Sequence, residues 1–182
     1  MEQHFGNQIQ ITWKSFLLKP EIKTPNREKF ENYSQGRKMI QNQEPRAKFR
    51  PWEGNSTPPT GSLPAQIAHK LVSDLWPQMA MPMHHRLLEA YFSENRTISD
   101  WIVLADLVSE IGEDSSLFLQ KLEEQKSDLA DQVIADHNEA VGQGITAVPT
   151  TLINHVLPVP GAQESETYIN WIERIIERSE SS

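Results

Sequence analysis

Between Ser62 and Gly142 apolar residues recur every third or fourth position, whereas residues 8–18 begin with alternation at every second position. The first period is that of helices packed on one face, the second that of half-buried strands. On the N-terminal side, Ile9, Ile11 and Trp13 stand against Gln8, Gln10 and Thr12, the pattern of a strand over residues 8–18 with one face buried. Pro20 and Pro25 then open a loop, and Asn26 is placed to cap a polar helix over 27–42 that has Gly36 in its middle. Residues 44–64 are proline-rich and read as an extended, mobile loop pinned to the body by Trp52.

The helical block starts with Ser62 as the expected N-cap and Pro64 in the first turn, and its first helix carries Leu63, Ile67, Leu71 and Leu75 as far as Pro77. A second, from Pro82 to Ser93, sets Leu87, Leu88, Tyr91 and Phe92 on one side; a third follows Ser99-Asp100 and closes at Gly112. Asp114 or Ser115 caps a fourth, and Ser127 a fifth that runs to Gly142. After Gly144, the β-branched run Thr146–Asn154 predicts a strand, His155–Val159 its hairpin partner, and Pro158 marks that partner as an edge. A closing helix carries Tyr168, Ile169, Ile172, Ile175 and Ile176. The order is strand, loop, helical block, hairpin, helix, without an internal repeat.

Composition narrows the chemistry. The 182 residues contain no cysteine, which excludes a disulfide scaffold, a thiolate metal site and a cysteine nucleophile on these residues. A net charge of -8 repels phosphate backbones, and the densest basic stretch, Arg46 to Arg50, holds only three cations, so nucleic acid is not an expected partner. No apolar run approaches the length of a membrane span. Residues 1–7 have neither the basic start nor the apolar stretch of a secretion signal, and the expected location is cytoplasmic.

Polar clusters offer little catalysis. His84 and His85 with Glu89 give an i, i+4 histidine–carboxylate pair, but a third ligand is missing at any diagnostic spacing, so helix-packing histidines are the reading and no metal is expected. Asp136, His137 and Glu139 lie near a helix end with no nucleophile motif beside them, and no catalytic residue is assigned. Gly142-Gln143-Gly144 precedes a strand, whereas a phosphate cradle follows one, so these glycines read as a helix C-cap and turn, and no cofactor is expected. In Gly144-Ile145-Thr146-Ala147-Val148-Pro149-Thr150, local chemistry leaves two readings open, a plain strand-entry proline and a cis-proline turn that exposes the backbone of the preceding residue.

Gly144–Ile153 (G-I-T-A-V-P-T-T-L-I) resembles the cis-proline loop of thioredoxin-fold proteins. Ile11–Leu18 resembles their second core strand, the helices from about Pro64 to Val141 resemble an inserted helical domain, and Val159-Pro160-Gly161-Ala162-Gln163 resembles the turn before the last helix. Together these are similar to the DsbA-like family in its FrnE-type branch, from about Gln8 to Ile176. The resemblance implies an α/β thioredoxin-like fold: residues 1–61 a partial thioredoxin-like segment, 62–143 the inserted helical subdomain, and 144–182 the C-terminal part. It implies thiol–disulfide exchange through a Cys-x-x-Cys pair at the head of the first helix. It also makes Val148, Pro149 and Thr150 the residues that hold a cysteine-containing or extended polypeptide. This sequence has neither the cysteines nor a candidate first strand, so the first strand and helix are expected to be missing and the chain as written to be truncated and inactive. Two alternatives accompany that reading: a non-catalytic peptide-binding module, and a relative of the glutathione transferase kappa and 2-hydroxychromene-2-carboxylate isomerase type, which uses glutathione.

Overall fold

In the computed structural model, which describes residues 2–18 and 23–180, the long middle of the chain is helical and its only sheet is a late hairpin. The elements are α1 (Glu2–Phe5), α2 (Arg27–Ser34), α3 (Arg37–Gln43), α4 (Leu63–Leu75), α5 (Ala80–Phe92), α6 (Trp101–Glu110), α7 (Ser115–Gly142), β1 (Thr150–Ile153), β2 (Leu157–Pro160) and α8 (Ser165–Glu180). They form two compact units: residues 19–135, and residues 1–18 with 136–182.

The unit of residues 19–135 is built on the helical periodicity. Ile67, Leu71 and Val72 of α4, Met83 of α5, Leu104, Leu107 and Val108 of α6, and Phe118, Leu122, Leu129 and Val133 of α7 are all buried. Helix ends follow local chemistry. Asn26 accepts the Lys29 N–H at 2.9 Å, Asp100 accepts that of Ile102 at 2.9 Å, and Asp114 accepts those of Ser116 and Leu117 at 2.8 and 3.1 Å. Gly112 closes α6 with a positive φ of 89°.

Three local expectations are corrected here. The polar helix over 27–42 is two helices, because the chain turns at Gln35-Gly36, where helix propensity is weakest. The expected fourth and fifth helices are one 28-residue helix, α7: no Gly or Pro interrupts it before Gly142, and Ser127 lies inside it as an ordinary helical residue. Ser62 makes no capping hydrogen bond, and its buried Oγ has no partner among the described residues.

The proline-rich segment is fastened rather than loose. Trp52 is 1% exposed, packs edge-to-face on Phe30 at 5.4 Å and tilts against Tyr91 at 5.9 Å. Its backbone N–H donates to Ser34 Oγ at 2.7 Å and its indole N–H to the Ser56 carbonyl at 3.2 Å. Beside it, Arg37 is 7% exposed and donates to the carbonyls of Arg50 and Tyr91, each at 3.2 Å, with its guanidinium 4.5 Å from the Tyr91 ring centre. Asn95 donates to the Pro51 carbonyl at 2.8 Å. A segment without a ladder thus has carbonyls satisfied by side chains of α3 and of the loop after α5.

In the unit of residues 1–18 and 136–182, the expected strand over 8–18 does not form. Residues 6–8 make a single 3-10 turn and 9–17 are irregular. The alternation survives, but burial falls only at its end, on Ser15 and Leu17, while Ile11 and Trp13 are 45% and 54% exposed. A strand needs a neighbour for its backbone groups, and the sheet of the described residues has only β1 and β2. The Ser15 N–H instead donates to the Asp136 carboxylate at 3.2 Å and the Leu17 N–H to His137 Nδ1 at 3.3 Å. Lys14 pairs with Asp136 and Glu139 at 3.2 and 3.1 Å, and hydrogen bonds to Glu139 and then Asp136 hold its pKa above the ordinary value. The expected strand from Thr146 is shorter, starting at Thr150, and it pairs antiparallel with β2 in the register Thr150↔Pro160 to Ile153↔Leu157.

Replacing Trp52 with Ala is expected to cost about 3–5 kcal/mol, the range for emptying a buried aromatic site. Tyr33→Ala, at an 80% exposed position, is expected to stay within about 0.5 kcal/mol. Urea unfolding of both variants checks this. A second expectation concerns pH. His69 lies 5.9 Å from His84 between ring centres, and His84 lies 5.8 Å from His85. Burial, then Lys70 for His69 and the neighbouring imidazoles for His84, lowers both pKa values below the ordinary 6.5. Groups lowered in the folded state bind fewer protons there, so their contribution is complete above the unfolded value and is lost as pH falls through the folded ones. Urea midpoints at pH 8 and pH 5 are expected to differ less in the H69Q/H84Q double variant than in the parent.

Candidate functional site

The loop between α7 and β1 is set up by the way α7 ends. The Gly144 N–H donates to the Val141 carbonyl at 2.9 Å and the Ile145 N–H reaches back to that of Ala140 at 3.0 Å, with Gly144 at φ 79°. This is a Schellman ending in which Gly144, not Gly142, occupies the left-handed position. The glycine pair that the sequence places before a strand is therefore a helix stop, as its order requires.

Beyond it, Val148, Pro149 and Thr150 form one turn, with the Val148–Pro149 peptide bond cis. Thr150 Oγ1 donates to the Ala147 carbonyl at 2.7 Å, and the Gly161 N–H donates to the Pro149 carbonyl at 2.8 Å, which ties the turn to the end of β2. Val148 is 42% exposed and Pro149 is exposed, whereas Thr150 is half-buried. Among the described residues, neither the N–H nor the C=O of Val148 has a hydrogen-bond partner. The three residues selected from sequence thus stand together as a partly exposed shelf in which the Val148 backbone is open to another extended backbone. The shelf itself carries no ionisable side chain.

Two residues that hold it in place were not selected from sequence. Gly161 supplies the N–H that fixes Pro149, and Tyr168 Oη accepts from Thr151 Oγ1 at 3.3 Å and donates to the Gly161 carbonyl at 3.4 Å. A signal for Gly161 was present in the hairpin arithmetic, which sets residue 161 opposite 149; the role of Tyr168 depends on how α8 packs on the sheet. The cluster of Asp136, His137 and Glu139 binds residues 14–17 of its own chain. His85 and Glu89 have no metal-binding partner set among the described residues.

The DSBA-like thioredoxin domain family matches residues 1–172. The chain belongs to this family. Its fold is the family's α/β thioredoxin type, mostly helical, with a small two-stranded sheet. No curated protein matches the sequence. Among solved structures, it is similar to the cytosolic disulfide reductase DsbM from Pseudomonas aeruginosa with GSH, at 17% identity and a TM-score of 0.49, covering 70% of this chain. The match spans 63% of the length of that protein. Among the described residues, no helix is long and apolar enough to cross a membrane.

The two glycines separate cleanly in a test of the helix ending. Gly144→Ala, at a positive φ, is expected to cost about 1–2 kcal/mol. Gly142→Ala, at an ordinary helical φ with open space around its Cβ, is expected to be neutral or to stabilise by up to about 1 kcal/mol. Thermal or urea unfolding of the two variants provides the comparison.

Proposed function

We propose that these residues are the polypeptide-holding part of a thiol:disulfide oxidoreductase, with Val148, Pro149 and Thr150 as the shelf on which a cysteine-containing or extended polypeptide lies. The family match over residues 1–172 carries this reading, and the unpartnered backbone of Val148 supports it. On this view residues 62–143 are a helical insertion in a thioredoxin-like body, as in the FrnE-type branch.

Thiol–disulfide exchange requires a thiolate that attacks one sulfur of a disulfide, forms a mixed disulfide and releases the other sulfur as a thiolate; a second thiol then resolves the bond. The 182 residues supply neither thiol, so this sequence on its own exchanges no disulfide. In the proposal, the thiol pair belongs to a strand-and-helix unit of about thirty residues encoded ahead of Met1. The absence of cysteine favours a second reading, in which the shelf serves a protein that binds extended polypeptides without redox chemistry.

The intact mass of the protein from its own cells, with and without thiol alkylation, distinguishes the two. The oxidoreductase reading expects a mass above 20.8 kDa and at least two alkylatable thiols. A mass of 20.8 kDa with no alkylation overturns it and leaves the binding protein.

A further inference from the structure

The densest basic stretch of the sequence, Arg46 to Arg50, divides in the structure into one committed cation and two free ones. Arg46 makes two hydrogen bonds of 2.7 Å to the carboxylate of Glu44. Lys48 and Arg50 are exposed, and neither charge has a hydrogen-bond or ion-pair partner among the described residues. Phe49, between them, packs edge-to-face on Phe92 at 4.9 Å, and Lys48 takes a left-handed conformation with φ 50°. Both cations line one concave site of about 420 Å³ in the unit of residues 19–135.

The backbone under Arg50 is fixed. Its N–H donates to the Phe92 carbonyl at 2.8 Å, and its own carbonyl accepts from buried Arg37 at 3.2 Å. The next carbonyl, that of Pro51, accepts from Asn95 at 2.8 Å. The guanidinium therefore extends from a held main chain, which lowers the ordering cost of binding. Glu89 and Glu94 also line the site, but Arg86 balances them at 3.7 and 2.6 Å. Ser93 brings a hydroxyl and Glu53 a carboxylate, neither with a side-chain partner among the described residues. Two cations and one carboxylate of the lining are thus left uncommitted.

Two cations two residues apart suit one doubly charged group better than two separate single charges. The planar fork of arginine and the point charge of lysine match the oxygens of a phosphate, and the Ser93 hydroxyl adds a neutral donor. Glu53 repels a bare anion, so the ligand that fits best also brings a positive group. We propose that this site binds a small phosphate monoester carrying an ammonium group, with the phosphate on Lys48, Arg50 and Ser93 and the ammonium on Glu53. The acidic excess of the chain opposes long polyanions far more than a ligand whose net charge is about -1. The site shares no residue with the Val148–Thr150 shelf and needs no thiol, so it stands independently of the oxidoreductase reading.

The test is isothermal titration calorimetry of the full 182-residue chain in low salt at pH 8, with O-phosphoethanolamine, ethyl phosphate and glycerophosphoethanolamine. O-Phosphoethanolamine is expected to bind with a Kd below about 5 mM. Ethyl phosphate, which lacks the ammonium, is expected to bind about threefold more weakly, the effect of losing an exposed ion pair. Glycerophosphoethanolamine, a diester with a single negative charge, is expected to bind weaker by about fivefold or more, which separates a free monoester from a lipid headgroup. The K48A/R50A variant is expected to weaken O-phosphoethanolamine binding by about tenfold or more, and E53Q to bind it and ethyl phosphate equally. The three substituted side chains make no bond among the described residues, so both variants are expected to keep the urea midpoint of the parent. One readout needs no variant: a phosphate monoester loses its second charge near pH ~6, so affinity is expected to fall about fivefold between pH 8 and pH 5. A Kd above about 5 mM, parental binding by K48A/R50A, equal binding of the three ligands by the parent, or an affinity indifferent to pH overturns the proposal.

Discussion

The backbone N–H groups of Ser15 and Leu17 end on two side chains of α7, Asp136 and His137. That substitution of side-chain acceptors for a neighbouring strand decides how the unit of residues 1–18 and 136–182 is organised. A buried N–H left without a partner costs about 1–3 kcal/mol, so the chain takes whatever acceptor is in reach. Here the acceptor is a helix end, and Phe16 stacks edge-to-face on the His137 ring at 4.9 Å to hold the approach. The result is a segment with the alternation of a strand and the hydrogen bonding of a strap.

The same rule orders the other unit. The proline-rich segment cannot form a ladder of its own, and its carbonyls are taken by Arg37 and Asn95. Arg37 is buried, and carbonyl dipoles and the rings of Tyr91 and Phe92 surround its charge. Trp52 then converts a run that reads as loose into a fixed part of the core. Burial of apolar surface supplies the stabilisation, but polar satisfaction determines which loop conformation accompanies it.

Where this accounting is left open, function is the natural explanation. The Val148 backbone is exposed and unpartnered among the described residues, beside a turn that Gly161 fastens to the end of β2. In the proposed function, that open backbone is the group an extended polypeptide would pair with.

Much of this was legible in the sequence. Periodicity located α4, α5 and α6, Asn26, Asp100 and Asp114 marked helix starts, and the order of glycines before strand identified a helix stop rather than a phosphate loop. Val148, Pro149 and Thr150 were contiguous in the chain and so are contiguous in the fold. What the sequence could not reveal was pairing. Period-two alternation at Ile9–Leu17 states that one side differs from the other, but a strand exists only when a second backbone lies beside it, and that partner is remote in sequence. Likewise, Ser127 has the chemistry of a cap and stands inside α7, because nothing breaks the chain there and packing of Phe118, Leu122, Leu129 and Val133 favours continuing the helix. Local residue chemistry determined where elements can begin and end; only the tertiary structure decided which of them find neighbours, since hydrogen bonds between distant segments depend on what packing brings together.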